Sequence, residues 1–383
     1  MIMGKRVYMD YAATTFLCEE VIKEMKPYLK EMFGNPSGIH ELARISKNGI
    51  EKCRENISNS LKCNRKEIFF TSGGTESNNW AIKGVAFANI ENGNHIITTK
   101  IEHHSVLYSC KYLESQGFNV TYLDVNSDGR VDIDSIKNSI NDKTTLVTIG
   151  FVNNEIGTIQ DIKSISELCK ERGVIFHTDA IQAIGKVDIS LDKYNCVDLL
   201  SVSGHKIYGP KGIGLLYIKE GTNIINYIHG GSQEKGRRAG TENVYGIVGL
   251  GKAIEISCSE VEIESEKLRV LRDYMIEKVI NEISGSRING SIEHRVCNNI
   301  NVCFDGIDDE GILLSLDLKG ICASSGSSCN SGSVNVSHVL QAIGLSPLEA
   351  QGSVRFTIGR NSTKSDVDYV VNELRKIVNR YRS

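Results

Sequence analysis

The sequence predicts an α/β protein whose main unit is a mostly parallel sheet covered by helices. Between about residues 57 and 220, short runs rich in β-branched and aromatic residues alternate with helical patterns, which is the signature of strand–helix–strand units. Near residue 255 the pattern changes to long helices and isolated apolar runs. A second unit is expected there, because 383 residues exceed the roughly 250–300 at which one core usually stops growing.

In order, strands are expected over 68–71, 95–98, 119–123, 145–151, 174–177, 198–201 and 214–218, making seven in one region. Ile162, Ile165 and Cys169 recur at helical spacing between two of them. In the second unit, residues 261–284 read as one long helix with Leu268, Leu271, Met275 and Val279 along a face. An apolar strand follows at 299–304. The last helix, 365–381, turns Val367, Val370, Val371, Leu374 and Val378 inward, and Ser365 with Asp368 has the spacing of an N-terminal cap.

Bulk properties exclude more than they assign. A net charge of −3 gives no electrostatic reason to bind nucleic acid or a membrane surface. No run approaches the ~20 apolar residues of a spanning helix, and the N-terminus lacks a signal peptide's apolar stretch, so the cytoplasm is the expected compartment. The eleven cysteines contain no CxxC pair, which removes zinc-ribbon and thioredoxin-type readings and leaves free thiols.

Chemistry concentrates at strand ends. The turn Ser72-Gly73-Gly74-Thr75 joins a strand to a helix, where free N–H groups and the helix dipole suit an anion, although glycine also serves close packing at such turns. No Gly-x4-Gly-Lys-[Ser/Thr] loop occurs. Asp179 follows a buried strand, either as a charge partner for a ligand or as the N-cap of the next helix. Ser203-Gly204-His205-Lys206 closes another strand. A lysine there is either a solvated surface group or one suited to Schiff-base chemistry, because burial beside other cations lowers an amine pKa from its usual ~10.4. Asn154 either bonds a ligand or makes an Asx-turn, and the pair His103-His104 either stacks one ring on an aromatic ligand or is incidental to its loop. Arg355 lies in a strand-like run, its planar fork matched to a carboxylate or to a structural acid. The run 323–333 holds six serines, two glycines and Cys329 in eleven residues, which reads as a mobile loop presenting a thiol or as a plain flexible linker. Six residues at ~3.3 Å each would let Cys329 sweep roughly 20 Å.

Taken together, TSGGTES, EHHS, VNNEIG, HTDAIQ, SGHKIYGPKGIG, RAGTEN, SSGSSCNSG and VRFTIGR resemble the cysteine desulfurases of the NifS/IscS-like group. The likeness runs from Tyr8-Met9-Asp10-Tyr11 to the last helix. It implies the fold-type-I architecture of pyridoxal-phosphate (PLP) enzymes, within the class-V aminotransferase superfamily. The large domain would span 16–257 on a mainly parallel seven-stranded sheet, and a smaller α+β domain would combine 1–15 with 258–383. It also implies a homodimer with active sites at the interface. By motif match, Lys206 would carry PLP, Asp179 would pair with the pyridine nitrogen, Gln182 would bond the ring hydroxyl, and His104 would stack on the ring and assist proton transfer. Asn154 would support cofactor and substrate, while Gly74, Thr75, Ser203 and His205 would hold the phosphate together with Thr241 of the second copy. Arg355 would clamp the carboxylate of L-cysteine. Cys329 would take the sulfur as a persulfide, release L-alanine, and pass its cargo to an iron–sulfur scaffold, a thiolation enzyme or a related acceptor. Two departures stand out: no alanine precedes Cys329, and Gly74 occupies a position more usually alanine. Rival readings are an aminotransferase, a selenocysteine lyase, or a sulfur-relay scaffold without catalysis. A transaminase has no use for a mobile thiol, and a scaffold has none for Lys206 and Asp179.

Overall fold

The computed structural model describes residues 6–325 and 336–383. Its strands in chain order are β1 (Val7–Tyr8), β2 (Ile68–Thr71), β3 (His95–Thr99), β4 (Asn119–Leu123), β5 (Thr144–Thr148), β6 (Ile175–Asp179), β7 (Leu199–Ser203), β8 (Gly214–Ile218), β9 (Ser286–Ile288), β10 (Asn299–Phe304), β11 (Ile321–Cys322), β12 (Ser324–Ser325) and β13 (Ser353–Thr357).

The large sheet runs β2-β8-β7-β6-β5-β3-β4. Only β8 is antiparallel to its neighbours, so the other six strands point one way and their C-terminal ends share one edge. β7 and β8 are buried throughout, as strands covered on both faces must be. Six of the seven expected strands match within one or two residues. Both β6 and β7 run two residues further than expected, to Asp179 and Ser203, which therefore sit in the last strand positions rather than beyond them. β5 ends earlier, at Thr148.

The second sheet, β12-β13-β10-β9, is antiparallel, and β1 pairs with β11 beside it. The helix Val261–Glu282 buries Leu268, Leu271, Met275 and Val279 as expected. The last helix, Lys364–Arg382, begins one residue early, and its cap is Thr363 with Asp366 rather than Ser365 with Asp368. Asp368 instead accepts from the Tyr274 hydroxyl and Lys278 Nζ. Two N-terminal helices, Glu19–Lys30 and Glu41–Leu61, pack on the helix Val244–Ser259. The approach is close: a Cβ on Gly251 would lie 2.1 Å from Cys53 Sγ.

One buried ion pair fixes the turn that precedes Thr241. Arg54 donates to both Glu234 carboxylate oxygens, at 3.0 and 2.9 Å, and Phe70 N donates to the same group at 2.9 Å. Glu234 and Lys235 take φ values of 45° and 58°, which side-chain-bearing residues seldom adopt, so tertiary bonds must hold them there. Removing one partner of such a pair leaves an uncompensated buried charge. Glu234→Ala is therefore expected to cost about 3–5 kcal/mol, read as a lowered thermal midpoint. An unchanged midpoint would show that the pair contributes nothing to stability.

Candidate functional site

A cavity of about 440 Å³ opens at the shared edge of the parallel strands, within the range of small-molecule sites and at the place where open α/β sheets bind ligands. Its walls are the turns that leave these strands. After β2, Gly73 caps the helix Gly74–Ala88 without a side-chain bond, and Gly74 and Thr75 line the cavity. A Cβ on Gly74 would meet Ile181 Cδ1 at 2.0 Å, so glycine here is matched to a large neighbour at 181. Ser203 and His205 line the same cavity from the end of β7. Burial first, then the nearby Lys206 and Lys211 cations, push the His205 pKa down to about 4, so the ring is neutral.

Asp179 ends β6 and is followed by turns at 181–186, not by a helix. Its Oδ1 accepts from Ile181 N at 3.0 Å, in the manner of a cap, while Asn78 Nδ2 donates to Oδ2 at 2.7 Å, and the carboxylate still lines the cavity. Lys206 sits on a single 3-10 turn, Gly204–Lys206. Its Nζ donates to the carbonyls of Ala12 and Ala13 at 2.6 and 2.7 Å, and Gln182 Nε2 also donates to Ala12 O, at 2.9 Å.

Arg355 arrives from the other sheet, on β13. It donates to Asn154 O at 2.9 Å and to Asp10 Oδ1 at 3.0 Å, and its buried Nε has no partner among the described residues. Asn154 lines the cavity beside it. Thus Gly74, Thr75, Asn154, Asp179, Gln182, Ser203, His205, Lys206 and Arg355 come together as expected.

The expected position of His104 is corrected. His103 lines the cavity, and His104 is not among its lining residues. His103 caps the helix His104–Ser115, its Nδ1 accepting from Ser105 N at 3.1 Å. That bond places the proton of the neutral ring on Nε2. One residue on, the His104 ring is stacked on Tyr108, with centroids 4.9 Å apart, and lies 4.9 Å from His338. Thr241 is exposed and away from the cavity on its own chain. Cys329 lies outside the described residues.

Sequence reasoning gave no role to Asp10, Ala12 and Ala13, which line the cavity from the N-terminal segment. The signal was available in Asp10-Tyr11-Ala12-Ala13, a lone carboxylate followed by small residues that let another group approach the backbone.

The aminotransferase class-V family model matches residues 7–370. The chain is 52% identical over 382 residues to the cysteine desulfurase IscS of Clostridium botulinum (strain Hall), covering 99% of this chain and 96% of that one. It is equally 52% identical over 380 residues to the protein of that name from Methanosarcina thermophila, covering 99% and 94%. Among solved structures, a NifS-like protein superimposes with a TM-score of 0.92 at 37% identity, covering 98% of this chain and 100% of that one. SspA in complex with cysteine superimposes with a TM-score of 0.83 at 41% identity, covering 94% and 100%.

Glu102 also lines the cavity, accepting from Thr99 Oγ1 at 2.6 Å and from Gly150 N at 2.8 Å. Burial outweighs these bonds and pushes its pKa up to about 7. A carboxyl raised on folding contributes stability that is present below its unfolded value and lost as pH rises through the folded one. Glu102→Gln removes this titration at similar shape. Relative to the parent, the variant should gain up to about 3 kcal/mol between pH 4.5 and 7.5, on top of any constant offset, as read by unfolding at both pH values. Parallel pH profiles would contradict the assignment.

Proposed function

This chain belongs to the aminotransferase class-V family and, within it, to the cysteine desulfurases, and we propose that its cavity removes sulfur from L-cysteine with Lys206 as the covalent anchor of PLP and Cys329 as the group that takes the sulfur. The observation that carries the reading is the convergence, in one cavity, of the Lys206 amine, the Asp179 carboxylate and the Arg355 fork.

The donor set fits PLP, the cofactor that members of this family use. Gly74 and Thr75 at a helix start, with Ser203 and neutral His205, offer donors to a phosphate without a competing acid among those four. Asp179 is oriented by Asn78 and the Ile181 N–H toward a ring nitrogen, Gln182 suits the ring hydroxyl, and Asn154 lines the same wall. When bound, PLP supplies an electron sink next to the substrate Cα. Lys206 Nζ is the group placed to take the Cα proton.

Arg355 suits the substrate carboxylate, since Asp10 and Asn154 O hold two of its edges and leave the Nε–H for a ligand. His103, rather than His104, is the ring that faces the cofactor, with its Nε2 proton available for transfer. Sulfur transfer then balances as follows: the Cys329 thiolate forms an S–S bond to the substrate sulfur as the Cβ–S bond breaks, the electron pair of that bond stays with Cβ, which takes a proton, and Cα regains its proton from Lys206 Nζ, leaving L-alanine and a persulfide. The outgoing chain supports this role, because Ser324 in β12 pairs directly with Arg355.

Thr241 would reach the phosphate of a second copy, and its exposure supports a homodimer. The division into 16–257 and 1–15 with 258–383 is part of the same reading, supported by the two separate sheets. Among the described residues no helix is long and apolar enough to cross a membrane, and a cytoplasmic enzyme serving an iron–sulfur scaffold or thiolation enzyme completes the proposal.

The test compares single variants of the PLP-loaded enzyme. Lys206→Ala should lose the visible absorbance of a lysine-bound aldehyde, and Cys329→Ser should yield no protein persulfide. His103→Ala should slow alanine release by about 10²-fold or more, and His104→Ala should stay within an order of magnitude of the parent. Native-rate persulfide chemistry in Lys206→Ala would sink the proposal, and the reverse ranking of the two histidines would return the ring-facing role to His104.

A further inference from the structure

Among the described residues Glu155 is not part of the cavity wall, yet it joins the turn after β5, the second sheet and the chain that follows residue 335. We infer, resting on the desulfurase reading, that Glu155 is a positioning residue which fixes the point where the chain returns from the segment carrying Cys329.

Its turn follows β5 and is locked from within. Asn153 Oδ1 accepts from Glu155 N and Ile156 N at 2.9 and 3.0 Å, while Asn153 Nδ2 donates to Ile101 O at 2.8 Å. The Glu155 carbonyl takes Asn299 and Asn301 of β10, both at 3.0 Å, tying the turn to the second sheet. The preceding carbonyl, Asn154 O, holds Arg355. One rigid turn therefore sets both the carboxylate clamp and the Glu155 side chain.

That side chain reaches the returning chain. Ser337 Oγ donates to Glu155 Oε2 at 2.5 Å and accepts from Leu340 N at 3.2 Å, capping the short helix His338–Ala342. Next to it, His338 Nε2 donates to Glu102 O at 3.0 Å. Glu155 and Ser337 are only 5% and 6% exposed, so water does not stand in for either partner. The outgoing end is pinned as well, Ser324 and Ser325 pairing with Arg355 and Val354. The chain thus leaves the described structure beside Arg355 and returns beside Glu155, whose turn also holds that arginine. A thiol tethered this way depends on its anchor, because a displacement of about 1 Å at a reacting group can cost ~10²-fold in rate.

The experiment uses the PLP-loaded enzyme and reads two quantities: the affinity for L-cysteine, and the first-turnover rate at which sulfur appears on Cys329. Glu155→Ala and Ser337→Ala should each slow sulfur arrival by about tenfold or more while L-cysteine affinity stays within about twofold. The double variant should be no slower than either single one, because both remove the same contact. Glu155→Gln, whose amide oxygen still accepts the Ser337 hydroxyl, should recover most of the rate. Unchanged sulfur arrival in Ser337→Ala, multiplied losses in the double variant, or a Glu155→Gln as slow as Glu155→Ala would each overturn the inference. A parent enzyme that places no sulfur on Cys329 from L-cysteine would overturn the desulfurase reading itself.

Discussion

The backbone between Asp10 and Thr15 is the join on which the site depends. On one side, Tyr11 N and Ala12 N donate to the Thr357 carbonyl and hydroxyl of β13, and Asp10 accepts from Arg355. On the other, Thr15 N donates to His205 O, and the carbonyls of Ala12 and Ala13 take Lys206, with Gln182 also on Ala12. Buried backbone groups rarely go unpaired, so a short segment satisfied on both sides holds the two sheets in fixed relation. Lys206 and Arg355 come from different sheets, and this segment makes their separation a property of the fold.

How much of this was legible in the sequence depended on whether the signal was local. Strands buried on both faces announce themselves as apolar runs, and six of the seven lay within one or two residues of expectation. Lys206, Asp179 and Arg355 were legible because each is an ionisable group at or near the end of such a run. The histidine pair was not, because the choice between His103 and His104 rests on which one caps the following helix. The capping residue stays at the strand end and faces the cavity, and the next residue rotates onto the helix surface against Tyr108. The cap of the last helix failed similarly, since two overlapping polar pairs, Thr363 with Asp366 and Ser365 with Asp368, differ only in where the helix begins. Contacts made by the N-terminal segment have no local signature at all.

Acids lining the cavity and the one just behind it, Glu155, divide by their partners. Asp179 receives a side-chain amide and a backbone N–H while remaining on the cavity wall, and Asp10 is paired with Arg355. Glu102 and Glu155 are deeper, and burial pushes both up to about 7. Their oxygens are taken by backbone and hydroxyl donors of the turns after β3 and β5 and by Ser337. Such groups do little for a substrate, but they give irregular buried turns the acceptors that a ladder would otherwise supply. The turns can then stay rigid without secondary structure of their own.

The two ends that flank residues 326–335 are held differently. On the outgoing side, Ser324 pairs with Arg355 and Ser325 with Val354. The outgoing end is a two-residue strand at the edge of its sheet, while the return end rests on the Glu155–Ser337 bond, buried on both sides, where losing either partner leaves a polar group unsatisfied away from water.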